Sequence, residues 1–375
     1  MISKPRQSMR THTSRAFAAL LSITAATSLF AEDDMLATAK DFVAKASAKS
    51  TEWTGPTSGP KAQSDKTVVY VSSDQRNSGV TGVADGAKEA AKAIGWNFRV
   101  IDGRGSVEGH GQALSQSIAL KPSAIILGGF DAKEQAQLLS EAQNAGITVV
   151  GWHCAADSGP VAEPKVFTNV GTSATDTAKA AAYLALAQSD GKANVVIFTD
   201  SAFTIALAKS DAMAEIIKQC KTATLLETRI QSLATATKDM PQITASLLQK
   251  YGKKWTHSLG INDLYFDGMV PGLAAAGIDP SGQIINISAG DGSLSAYQRI
   301  QSEQYQDATI PEPLHLHGWQ LIDELNRAFA GEPPSGFSSP VHIVTPENVQ
   351  FDGGDKATYD PQNGYREAYK KIWGV

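Results

Sequence analysis

Cysteine is nearly absent: Cys154 and Cys220 are the two in a chain of 375 residues. So few thiols exclude the disulfide-dense framework of a small secreted module. Cys154 follows an apolar run at a strand's carboxyl end, and Cys220 closes a helix running away from that edge, so the reading is two separate thiols. Long apolar runs are missing too. The longest, from Ala16 to Phe30, has 15 residues, short of the roughly 20 needed to span a bilayer. Lys4, Arg6, Arg10 and Arg15 precede it and Ala31 offers a cleavage point, which makes residues 1–31 a secretory signal. No cysteine lies near that cut, which argues against a lipid anchor. Excess basic charge is absent: a net charge of −5 argues against nucleic acid and anionic membrane surfaces as partners.

Chemical signatures are also lacking. No P-loop, G-x-S-x-G or zinc spacing occurs. Gly103-Arg104-Gly105 with Gly109 follows the second strand with the wrong spacing for a dinucleotide loop, and His315-x-His317 lacks a third metal ligand. No catalytic residue, metal or cofactor is therefore assigned. Asp74, His153 and Glu312 are the groups an enzyme would have to use, and their spacing demands no catalysis.

What is present is alternation. Ser123–Cys154 reads as strand, helix, strand: an apolar run at Ala124–Leu127, a capping pair Asp131 and Glu134, a stripe of Leu138, Leu139 and Ala142, a terminating Gly146, and a second run at Ile147–Trp152. The same pattern precedes it from Thr67 and restarts after the loop Ala155–Pro164. Strands are expected at Asn194–Phe198, Thr224–Ile230, Trp255–Ile261, Ile284–Ile287, Asp307–Ile310 and Val341–Val344; Ile205, Ala208, Ala212 and Ile216 stripe one of the intervening helices. The fold class is α/β, two doubly wound parallel-sheet lobes. Parallel sheets hold ligands at the carboxyl ends of their strands, which draws attention to Trp152 and His153. Asp131 reads as a cap.

The segments VVYVSSDQRNSG, DGAKEAAKAIGW, AIILGGFDAKE, AGITVVGWH, SDGKANVVIFTDS, LGINDLYFDGMVPGLAAAG, SAGDGSLSAYQRI and QDATIPEPLHLHGWQLIDEL follow one another in the order seen in a known family. Over roughly residues 67 to 345 the chain resembles the sugar-type periplasmic solute-binding proteins of ABC importers, the ribose- and galactose-binding group. The resemblance implies a type I clamp with a three-crossing hinge: an N-lobe of 67–165 plus 313–340 and a C-lobe of 166–312 plus 341–347, with crossings near Val166, Pro313 and Pro340. Outside it lie an extension, 32–66, that wraps a lobe surface through Trp53, and a tail, 348–375.

It also implies ligand-binding residues. Asn77 stands at the polar first-loop position, Trp152 and His153 where ribose binders carry an acid and an arginine, Asn262 and Asp291 at the family's "ND" and "DG" steps, Glu312 at the hinge glutamine, and Phe203 in the loop facing the cleft. An aromatic pair replaces a charged one, so a sugar, polyol or modified sugar fits better than a plain pentose held in the ribose manner. The implied protein is a periplasmic monomer that captures a small polar ligand and delivers it to an ABC permease in the inner membrane. Its alternatives are a sensor that hands its closed form to a receptor kinase and, third, an enzyme on the same scaffold.

Overall fold

The structure, a computed structural model, describes residues 1–2, 35–353 and 356–375. The expected export signal lies, but for its first two residues, outside them. None of the described helices is long and apolar enough to cross a membrane.

The first described helix, α1, covers residues 35–46. The first sheet follows, with strands β1 (Thr67–Ser72), β2 (Asn97–Asp102), β3 (Ala124–Gly128), β4 (Thr148–Trp152), β5 (Gly159–Val161) and β6 (Val166–Val170), in the order β2-β1-β3-β4-β6-β5. Helices α2 (Ser78–Ile94), α3 (Val107–Ala119) and α4 (Ala136–Asn144) connect its parallel strands. Alternation along each strand explains the layering. Val68, Tyr70, Ile126, Val150 and Trp152 enter a core on one face, and Val69, Val71, Ile125, Leu127 and Val149 enter another on the opposite face.

Two details depart from the sequence reading. Ala155–Pro164, expected as loop, contains β5, which pairs antiparallel with β6 at the sheet edge. Val166–Val170, expected to carry the chain out of the lobe, continues the first sheet beside β4. The chain therefore leaves that sheet after Val170, four residues past the expected point.

The second sheet is assembled from β7 (Asn194–Thr199), β8 (Thr224–Ile230), β9 (His257–Gly260), β10 (Ile285–Ser288) and β11 (Ala308–Thr309), in the order β11-β10-β9-β7-β8 and all parallel. Its helices are α5 (Ala174–Gln188), α6 (Thr204–Gln219), α7 (Ala236–Tyr251), α8 (Leu264–Ala275) and α9 (Leu294–Gln301). The last expected strand, Val341–Val344, is reduced to one antiparallel bridge between Val344 and Thr309. Pro340 before it and Pro346 after it cannot donate ladder hydrogen bonds, which keeps the pairing short.

Helix α10 (Leu314–Ala330) returns to the first lobe and packs along α2. The approach is close enough that side chains are excluded. A Cβ on Gly86 would lie 2.5 Å from the backbone of His315, and one on Gly318 would collide with the backbone of Ala87. The tail ends in α11 (Tyr365–Trp373) on the same lobe, where Trp373 stacks on Trp319 with centroids 5.5 Å apart. Both cysteines are buried and free, as read, and burial pushes the Cys154 thiol up to about 12.

Candidate functional site

The carboxyl ends of both sheets face one cavity of about 360 Å3 between the lobes. Six of the seven sequence-derived residues line it: Asn77, Trp152, His153, Phe203, Asn262 and Asp291. Glu312, the seventh, lies beneath its inner end, fully buried on the segment entering α10. The lobes touch across this space. Thr204 Oγ1 at the start of α6 donates to Asp131 Oδ2 after β3 at 2.7 Å, and a Cβ on Gly79 in the first turn of α2 would lie 2.5 Å from Asp291 Oδ2. Asp131 is the cap it was read to be, accepting from Lys133 N at 2.9 Å, and its second oxygen joins the lobes.

Asn77 caps α2, its Oδ1 accepting from Gly79 N at 2.9 Å, so its amide nitrogen is what remains for a ligand. Asn262 also serves the backbone, its Oδ1 accepting from Leu264 N at 3.0 Å. Its Nδ2 donates to Asp291 Oδ2 at 2.8 Å, which fixes the carboxylate at the cavity wall. Burial raises the Asp291 carboxyl, opposed by the charges of His153 and Lys209.

Neighbouring residues of a strand should point to opposite faces, yet Trp152 and His153 stack on one another with centroids 3.9 Å apart and planes 14° from parallel. Strand β4 ends at Trp152, and His153 adopts φ +51°, in the left-handed region, which folds its ring back over the indole. Trp152 is 1% exposed. Its Nε1–H points inward and donates to His317 Nδ1 at 3.2 Å. The indole is therefore a backing plate for the His153 ring, and both rings line the cavity. His153 Nε2 is buried without a hydrogen-bond partner.

Under the plate runs a network through all three hinge segments. Indole nitrogen only donates, so His317 Nδ1 accepts, and the ring's proton sits on Nε2, 2.8 Å from Ser339 Oγ. Ser339 Oγ is 2.8 Å from Thr172 Oγ1, and Thr172 N donates to Glu312 Oε2 at 3.1 Å. Glu312 has three nitrogens close by: Lys209 Nζ at 3.8 Å, His153 Nε2 at 3.4 Å and His317 Nδ1 at 3.5 Å. Burial would raise its carboxyl, but His153, Lys209 and His317 together hold it far below the usual carboxylate range.

Lys209 was not among the sequence-derived residues. It is 3% exposed, lines the cavity, and donates to Ala289 O at 2.8 Å. The expected stripe was Ile205, Ala208, Ala212 and Ile216, with Lys209 at its edge. The buried face is turned by one residue, to Ala206, Lys209, Met213 and Ile217. The outer wall adds two pairs, Asp74 with Arg76 at 2.7 Å and His110 with Glu134 at 3.0 Å. Asp74, weighed as a catalytic group, is thus engaged by Arg76. His317 faces the hinge and His315 lies 3.6 Å from Glu89 on the surface, so the two histidines share no site. No group of residues suited to a metal occurs among the described residues.

The His317 environment carries a pH dependence. Burial lowers its pKa from 6.5 to about 4. Between those values the unfolded chain binds a proton that the folded chain does not, so stability falls as pH drops from 6.5 toward 4, by about 3 kcal/mol for a shift of this size. His257, lowered to about 4 by burial, acts in the same direction. Melting temperatures measured from pH 7 to pH 4 should fall, and the fall should be smaller in His317→Gln. An equally steep fall in both chains would remove His317 from the account.

Two parallel-sheet lobes closed over a partly buried cavity, with three hinge segments meeting beneath it, define a two-lobed binding protein. The chain belongs to the periplasmic binding protein family: the model of the periplasmic binding protein domain matches residues 68–333. No curated protein sequence matches at a significant level. Among solved structures, a galactofuranose binding protein is 18% identical with a TM-score of 0.67, covering 83% of this chain and 99% of its own. The periplasmic component of the arabinose ABC transporter from Shewanella sp. ANA-3, bound to α- and β-L-arabinofuranose, is 17% identical with a TM-score of 0.66, covering 82% of this chain and 95% of its own. A solute binding protein from Bacillus halodurans C-125 with bound myo-inositol is 16% identical with a TM-score of 0.65, covering 77% and 98%. At these identities the likeness is one of fold. The family and these neighbours are binding proteins rather than enzymes.

Proposed function

We propose that the protein is a periplasmic solute receptor that closes over one neutral polyhydroxy ligand, a sugar or polyol, and delivers it to an ABC permease. The observation that carries this is the mixture of donors and acceptors left for a ligand at the inner end of the cavity. His153 Nε2 and Glu312 Oε1 lie 3.4 Å apart and face each other beneath this end, so the groups that remain are those of Lys209, Asp291 and the Asn77 amide nitrogen. Lys209 Nζ makes one hydrogen bond, to Ala289 O, with three N–H groups to offer, and Asp291 holds one carboxylate oxygen on Asn262. A hydroxyl both donates and accepts, so a ring or chain carrying adjacent hydroxyls satisfies carboxylate and ammonium together. Phe203, Val80 and Leu264 supply apolar wall for the C–H face of such a ligand. The similar structures, a galactofuranose binding protein and two receptors bound to arabinofuranose and myo-inositol, lend support.

Thermal melting against a panel of pentoses, hexoses, polyols, inositols, nucleosides and sugar acids tests this. A true ligand at 100 times its Kd stabilises by about 2.7 kcal/mol, and the shift should vanish in His153→Ala and in Trp152→Ala. A panel in which no neutral polyhydroxy compound raises the melting temperature would overturn the ligand class. Unchanged affinity in both variants would overturn the site.

A further inference from the structure

The segments outside residues 68–333 make two more crossings between the lobes. Helix α1 lies on the second lobe, where Phe42 meets Tyr183 at 5.6 Å and Ala46 O accepts from Ile343 N at 3.0 Å. Residues 47–52 then cross, and Trp53 packs on Phe337 and Tyr369 of the first lobe, at 5.2 and 5.3 Å. Beyond it, Ser58 O and Pro60 O accept from Arg327 Nη2 and Asn326 Nδ2 on α10 at 2.6 and 2.9 Å. The tail repeats the crossing. Val349, Ala357 and Tyr359 cluster with Tyr297 and Ile300 of α9 on the second lobe. Residues 360–364 cross, and α11 docks on the first lobe, with Trp373 Nε1 donating to Asp323 Oδ1 at 2.8 Å.

Both straps pass behind the hinge. A cavity of about 230 Å3 separates them from it, walled by Lys49 and Ser50 of the first strap, Tyr359 and Pro361 of the second, and Ser339 and Pro340 of the hinge. Ser339 places this cavity on the side of His317 opposite to Trp152, so it and the ligand cavity lie on opposite sides of the hinge.

We propose that the two straps and the space behind the hinge are a stop that limits how far the clamp opens. Rotation that widens the front cleft brings the two lobes together at the back. It drives the short strap crossings against Ser339 and Pro340 until the rear cavity is closed. A clamp so limited gives up less order on closing than a freely opening one. The inference rests on the chain being a clamp that opens, but its readout needs no ligand, so a wrong ligand class would leave it standing.

The test uses the full chain with spin labels at Asp85→Cys and Glu215→Cys, exposed positions on α2 and α6; the native cysteines are buried. Interlobe distances are measured without ligand by pulsed electron resonance. Lys49→Ala removes bulk from the first strap where it walls the rear cavity, and Pro361→Ala removes bulk from the second. A melting curve confirms folding. The expected result is a shift to longer distances in each variant and a larger one in the pair. Unchanged distance distributions in all three folded variants would overturn the proposal.

Discussion

Glu312→Ala should cost about 3–5 kcal/mol of folding stability, the loss seen when one partner of a buried ion pair is removed. Its side chain is 1% exposed and lies within 3.8 Å of Lys209, His153 and His317. Without the carboxylate, the Lys209 ammonium stays buried with one backbone carbonyl, and Thr172 N loses its acceptor. A domain is stable by only about 5–15 kcal/mol, so the expected loss is a large part of the total. The direction with pH follows from the lowered carboxyl of Glu312. A depressed acid contributes its stability above the unfolded pKa, about 4.3, and loses it as pH falls through the lower folded value. The cost should therefore be full at neutral pH. Equilibrium urea unfolding of Glu312→Ala, Lys209→Met and the double variant separates charge from packing. If stranded charge is the cause, the double variant should lose less than the two singles combined; simple additivity would show that the carboxylate acts by packing alone.

The apolar periodicity made both lobes legible because it is set by burial, and the strand ends followed from it. Six residues named on that basis and on family resemblance surround one cavity. What escaped was fixed by tertiary context. Lys209 carries a charge into a buried face, which lies one residue round α6 from the expected apolar stripe. The stacking of His153 on Trp152 depends on a positive φ in a non-glycine residue, which no spacing announces. His317 could have been suspected from its place on the first turn of a helix after Glu312-Pro313, but its partners Ser339 and Trp152 are 22 and 165 positions away. Strand β5 is an edge feature of three residues, below the length at which alternation can be recognised, and Val341–Val344, expected as a strand, keeps a single bridge between its two flanking prolines.

Asp291→Ala should weaken ligand binding by about 2–5 kcal/mol, a loss of roughly thirty- to several-thousand-fold in affinity. The carboxylate sits after β10, at the end of the second sheet, with Asn262 holding one oxygen at 2.8 Å. Its other neighbours are the first turn of α2 across the cleft and the charges of His153 and Lys209. It is thus an acid of the second lobe placed to meet a ligand and the first lobe at once, so removing it strips a charge-assisted acceptor from the closed state. Because it is buried and raised by desolvation, the unliganded variant sheds an unfavourable buried charge and should melt no lower than the parent. Asp291→Asn keeps the shape and the Asn262 contact but removes the charge, and should fall between the two in affinity. Titration calorimetry with the sugar or polyol selected by the melting panel measures all three. A parent-like Kd in Asp291→Ala would remove this residue from the site, whereas lost binding together with a collapsed melting temperature would show that it holds the fold rather than the ligand.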